Sequence, residues 1–172
     1  EDPTTPQAKA LDWIVDDDAA RLSPDDDKLV QRYTLAVFYY STSGDGWKKC
    51  SAPSDFTPAA IQAANQACTL TTVNATTIFP NDIRGTNAWL TPGSECRWGG
   101  ISCYAANTAN AMEVNVVEFE NNGLKGSLPG EMEQLDKMRF FALERGELGG
   151  PIPASYGNLK SLLLLDFDFN QL

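Results

Sequence analysis

The last third of the chain repeats its hydrophobic positions every 24 residues. Val114, Met138 and Leu162 superimpose at that spacing, followed by Val117, Phe141 and Leu165, then Phe119, Leu143 and Phe167, then Leu124, Leu148 and Leu172. A Gly-x-[Leu/Ile]-Pro stretch recurs in the same register, as Gly126-Ser127-Leu128-Pro129 and Gly150-Pro151-Ile152-Pro153. A fixed period of this length marks units that cannot cover their own apolar face and must stack on neighbours. Within each unit, alternation such as Val117-Glu118-Phe119 predicts a short strand, and the Gly and Pro that follow predict a turn.

The first hundred residues follow a different pattern. Thr5-Pro6 and Ser23-Pro24 each set an N-cap hydroxyl before a proline at a first helical position, and Asp25 and Asp26 fall in the first turn of the second helix. That helix carries Leu29, Val30, Tyr33, Val37 and Tyr40 at helical spacing and is stopped by Ser43-Gly44-Asp45-Gly46 before Trp47. Thr57-Pro58 opens a third, short helix reaching Ala67. From Thr69 to Asn87 the chain is rich in Thr and Asn and reads as loop. The acidic runs Asp16-Asp17-Asp18 and Asp25-Asp26-Asp27 read as solvated helix ends.

Composition narrows the chemistry. The 172 residues hold no histidine and carry a formal charge of −10, which removes Ser-His-Asp relays, Cys-His pairs and His-ligated zinc, and disfavours binding to a phosphate backbone. No run approaches the ~18 apolar residues of a membrane span. The opening Glu1-Asp2-Pro3 has no basic or apolar signal segment, which a secreted chain would already have lost.

Cys96-Arg97-Trp98-Gly99-Gly100-Ile101-Ser102-Cys103 lies just before the first repeat. It resembles the C-x-W-x-G-[IV]-x-C motif that closes the N-terminal cap of plant-type leucine-rich repeat proteins. The repeats themselves are similar to that family's LxxLxLxxNxLxGxIPxxLxxLxx pattern from Val114 to Leu172. Leu35-Ala36-Val37-Phe38 and Trp47 look like the cap's helix and tryptophan, while the stretch from Cys50 to Glu95 looks like an insertion. Asn122 and Asn170 occupy the pattern's asparagine, but the second repeat has Gly146 there, so a looser turn is expected at that rung. Ala10-Leu11-Asp12-Trp13 with Gln31-Arg32-Tyr33 is similar to leucine-rich repeat proteins of microalgae. The implied fold is an α/β solenoid with a parallel sheet on its concave face. Residues 1–103 would form a mainly helical, disulfide-closed cap and residues 104–172 two full repeats and part of a third.

Four cysteines allow three pairings, and spacing alone does not choose among them. The family resemblance implies a Cys96–Cys103 bond, which leaves Cys50 with Cys68. A four-cysteine metal site is the rival reading, but intervals of 17, 27 and 6 residues contain no C-x-x-C knuckle. Disulfides point to an oxidising compartment, and the single sequon, Asn74-Ala75-Thr76, agrees with secretion.

Positions between the buried strand residues should face outward as three columns: Val116, Phe140 and Leu164; Glu118, Ala142 and Asp166; Glu120, Glu144 and Asp168. Asn121, Arg145 and Phe169 run beside the third. These twelve residues are the expected ligand face, an acidic strip beside an apolar stripe. The charges fit either a solvated surface or a recognition surface for a basic or amphipathic partner anchored on Phe140 and Phe169. Asp166-Phe167-Asp168-Phe169-Asn170 imitates the opening of a calcium loop, but the sixth-position glycine is missing and the repeat already explains its alternation. No metal or cofactor is expected.

The sequence therefore predicts an extracellular or cell-surface, non-catalytic module that binds a protein, peptide or glycan, with no nucleic-acid partner. A structural role in an extracellular matrix or assembly is the first alternative. A glycosidase using Glu120 and Glu144 is the second, disfavoured because a shallow sheet desolvates little. Leu172 falls at the eleventh position of its repeat with no polar cap after it, which predicts a longer parent chain or a partner covering that end.

Overall fold

In a computed structural model that describes residues 2–70 and 77–172, helix α1 (Pro6–Asp12) is capped as its sequence predicts, with Ala8 N–H donating to Thr5 Oγ1 at 3.2 Å. A five-residue π-helical turn, Trp13–Asp17, continues it. Helix α2 spans Leu29–Ser41 and begins later than Ser23-Pro24 predicts. Asp26 N–H bonds Ser23 O at 2.9 Å, and Asp26 Oδ1 accepts from Lys28 N–H at 2.9 Å, so these residues close a turn rather than open a helix. Ser43, at φ 57°, breaks α2 into the Gly44–Gly46 turn. Helix α3 (Pro58–Ala67) is capped by Thr57 Oγ1 and buries no residue of its own.

The sheet has five strands: β1 (Ile83–Arg84), β2 (Ile101–Cys103), β3 (Val114–Glu120), β5 (Phe140–Glu144) and β7 (Leu164–Asp166), in that spatial order. A separate two-stranded ladder pairs β4 (Lys125–Gly126) with β6 (Glu147–Leu148). β3, β5 and β7 are parallel and 24 residues apart, with Val117 opposite Phe141 and Phe141 opposite Leu165. β2 pairs antiparallel with β3 and β1 antiparallel with β2, so β1 runs in the same sense as the rungs. β1 lies inside the Thr- and Asn-rich stretch expected to be loop; at two residues it is too short to show periodicity. Its approach depends on Gly85, where a Cβ would sit 1.7 Å from Trp98 O.

One hydrophobic cluster runs from the helices through the stacked strands. Phe38 of α2 is at its centre, with ring centroids of Trp47, Trp89, Phe119 and Phe141 all within 6.2 Å. Three of the four indoles satisfy their N–H groups on main-chain oxygens, Trp47 on Thr42, Trp89 on Gly99 and Trp98 on Thr91, while the buried Trp13 N–H has no partner among the described residues. The cysteines pair as Cys96–Cys103 and Cys50–Cys68.

Two departures concern polar residues. Asp18 is not a solvated helix end: it is buried and pairs with Arg32, Nε to Oδ2 and Nη2 to Oδ1, both at 2.6 Å. The Arg32 guanidinium also lies against the edge-to-face pair Trp13 and Trp98, 5.2 and 4.9 Å from their ring centres, and meets buried Glu95 at 3.4 Å. This arrangement ties the chain's first turns to the cysteine motif. The second departure is at Gly146, where the turn is filled rather than loose. Asn170 donates Nδ2 to Leu143 O at 2.7 Å and accepts from Leu148 N–H at 3.2 Å, and its Oδ1 lies 2.7 Å from where a Gly146 Cβ would be.

Candidate functional site

The expected ligand face divides into a covered half and an open half. Val116 and Ala142 are buried, Phe140 is 9% and Glu118 7% exposed, and Leu164 is half-buried. The column Val116, Phe140 and Leu164 is therefore not the open apolar stripe that alternation predicts, and Phe140 is not a free anchor. Its cover is Phe79, whose ring meets Phe140 edge-on at 5.1 Å and, like Leu164, packs against the cluster of Val116 and Phe140. The apolar column is thus satisfied by the inserted stretch between Cys50 and Glu95, and the one available signal was the Phe79-Pro80 pair in an otherwise polar segment. Glu118 and Ala142, the middle column, are buried beside it, whereas Asp166 remains half-exposed. Asn74 falls outside the described residues.

The open half is the acidic column with its neighbours. Register places Glu120 directly opposite Glu144. Glu120 and Asp168 are exposed and Glu144 is half-buried. Partial burial pushes the Glu144 carboxyl above the usual carboxylate range, and Asp166, Glu120 and Asp168 push it further against the opposing pull of Arg145. Each strand end turns through a left-handed residue at the same repeat position: Asn121 at φ 49°, Arg145 at φ 57° and Phe169 at φ 58°. Main-chain bonds from Asn121 N–H to Glu144 O and from Arg145 N–H to Asp168 O lock these corners in sequence.

Their side chains consequently form a second row. Arg145 Nε meets Glu120 Oε1 at 3.2 Å, and its guanidinium carbon stands 4.9 Å from the Phe169 ring centre. Phe169 is 69% exposed. Lys48, which sequence reading did not assign to this face, donates Nζ to Asn121 Oδ1 at 2.6 Å. Asn170 spends its amide on the main chain, and Asp166 Oδ1 accepts from Asp168 N–H at 3.1 Å, so the calcium-loop-like stretch is engaged in its own turn.

Parts of the chain are similar to known proteins. The chain is 34% identical over 89 residues to phytosulfokine receptor 1 and 35% identical over 78 residues to receptor-like kinase TMK2, both of Arabidopsis thaliana. The 24-residue rungs are similar to plant-type leucine-rich repeats. These matches take in 50% and 43% of this chain but 8% of each relative's length. Among solved structures, the complex of BIR3 with SERK2 from Arabidopsis thaliana is 23% identical, covering 45% of this chain and 40% of that one, at a TM-score of 0.40. The BIR2 ectodomain from the same plant is 26% identical over 44% of this chain and 38% of its own, at 0.38. No family model matches the chain.

Proposed function

We propose that the chain is an extracellular or cell-surface recognition module: a leucine-rich repeat solenoid with residues 1–103 as its disulfide-closed cap, residues 104–172 as repeats, and no catalytic step of its own. Its partner is a protein, peptide or glycan met on the concave side of the sheet, and the residues there suit a basic or amphipathic segment. The observation that carries this reading is the acidic column of Glu120, Glu144 and Asp168 ending beside exposed Phe169. Like charges on adjacent rungs raise the Glu144 carboxyl, and a bound ammonium or guanidinium would relieve that repulsion while an apolar side chain covers the ring. Two disulfides and the similarity to receptor proteins support the extracellular setting.

The test is calorimetric titration of a synthetic Lys- and Leu-containing amphipathic peptide, with its Glu-containing counterpart as control. The double substitution Glu120→Lys, Glu144→Lys should weaken binding of the basic peptide by about tenfold or more. Unchanged affinity, or equal binding of the acidic peptide, would end the proposal.

A second reading, association between copies, draws on the β7 edge, where Leu163 is 72% and Leu165 41% exposed. Concentration-dependent dimers in sedimentation that vanish on Leu163→Lys would favour it over ligand recognition.

A further inference from the structure

Arg139 is held more firmly than a half-buried surface cation needs to be. Its guanidinium carbon stands 3.9 Å from the centre of the Phe79 ring and 4.9 Å from that of Tyr104. Nε donates to Asn115 Oδ1 at 2.7 Å, and Asn115 is fixed in turn by Nδ2 donating to Asp82. Tyr104 donates its hydroxyl to Lys137 O at 3.2 Å. Lys28, Arg32, Lys125, Lys137 and Arg145 each have a carboxylate within 4.0 Å, whereas Arg139 has none among the described residues. Among those residues its two Nη groups also have no hydrogen-bond partner.

The two rings crowd the guanidinium carbon while its Nη groups keep their donors, and a carboxylate is the group that takes two such donors in parallel hydrogen bonds. The side-chain freedom such binding would otherwise cost is already gone. Arg139 lines a groove of about 580 Å³ whose walls include Pro80, Asn81, Asn107 and Thr108. The side chains that Asn81, Asn107 and Thr108 bring to this wall are two amides and a hydroxyl, the hydroxyl donating to Ala105 O at 2.8 Å and so meeting a ligand as an acceptor. Tyr104, whose hydroxyl is raised by burial, feels Arg139 and Lys137 against Asp82, so both signs of charge reach the groove.

We propose that this groove is a second binding site, for a carboxylate-bearing sugar. The carboxylate takes the free edge of Arg139, and ring hydroxyls take Asn81, Asn107 and Thr108. The site is separate from the acidic strip and does not depend on it.

Trigalacturonate is the probe, titrated calorimetrically at about 0.15 M salt, where the chain's overall negative charge is screened beyond ~8 Å. Maltotriose tests the need for the carboxylate, and trialanine represents the peptide class. We expect binding of trigalacturonate alone, a loss of about tenfold or more in Arg139→Gln, and a several-fold loss in Asn81→Ala, Asn107→Ala, which leaves the arginine clamp intact. Glu144→Gln should leave it unchanged, separating this site from the strip. No binding by the wild type, equal binding of maltotriose, stronger binding of trialanine, or full affinity in either the Arg139 or the asparagine variant overturns the proposal.

Discussion

Arg32 grips Asp18 through two parallel 2.6 Å hydrogen bonds with both side chains buried, fourteen positions apart in sequence. Removing Asp18 takes away both bonds and leaves the buried guanidinium the longer 3.4 Å contact with Glu95 and main-chain oxygens of Thr91 and Gly93. Asp18→Ala should therefore cost about 3 to 5 kcal/mol in urea unfolding, far more than an exposed acidic residue such as Asp17. Equal costs for the two would show that the pair does not hold the first helix to the cap.

The pH dependence of Glu144 has a definite sign. Its folded pKa is raised, so folding favours the protonated form, and the carboxyl destabilises the fold once it ionises. Glu144→Gln should match the wild type in strong acid and become the more stable of the two as pH rises above about 4.3, where the unfolded carboxyl ionises. Unfolding curves from pH 3 to pH 7 check this, and carbon-detected titration of Glu144 should place its midpoint above that of exposed glutamates.

Equivalent glycines in the repeat should differ in tolerance. Gly126 has φ +106° and its missing Cβ would lie 2.3 Å from Ser41 O, whereas the Cβ of Gly150, at φ +81°, would meet nothing nearer than Ser127 at 4.0 Å. Gly150→Ala should cost about 1 kcal/mol of backbone strain, and Gly126→Ala about 1 to 3 kcal/mol more because a main-chain oxygen cannot yield. Denaturation midpoints of the two variants give the comparison directly.

Restoring the missing repeat asparagine should not help. Gly146→Asn would crowd Leu124 O and push Asn170 from its bonds to Leu143 and Leu148, so a loss of about 1 to 2 kcal/mol is expected. A gain in stability would mean that Asn170 can move aside freely.

Both disulfides should contribute. Replacing Cys96 and Cys103 by Ala should cost about 2 to 3 kcal/mol, and the longer loop closed by Cys50 and Cys68 should make its loss slightly more costly, about 3 kcal/mol. The order of the two midpoints under non-reducing conditions is the measurement.

What the sequence reveals here follows from range. The rungs, the Thr5 and Thr57 caps and the turn at Ser43 are set by neighbours within a few positions or by a repeat, and each is visible as a pattern. The start of α2 was misplaced because Asp26 captures Lys28 N–H, a local competition that Ser23-Pro24 does not betray. The contacts of Arg32 with the two tryptophans and the Phe79 cover join residues tens of positions apart, and no periodicity encodes them. Alternation alone shows that Val116 and Phe140 point away from the core but not that another segment lies over them. The candidate strip was legible for Glu120, Glu144 and Asp168, yet Lys48 and the Arg139 clamp emerged only from the folded chain.

The antiparallel pair β1–β2 makes the sheet one-ended. The side next to β3 is sealed by β2, which runs against the rungs, with only the two-residue β1 beyond it, while β7 presents an edge of matching polarity. Duplication of the 24-residue unit in evolution, or grafting of rungs by design, can therefore lengthen the scaffold in one direction only. Everything that gives the molecule its identity at the sealed side, the arginine against its two tryptophans and the paired cysteines, would be inherited unchanged.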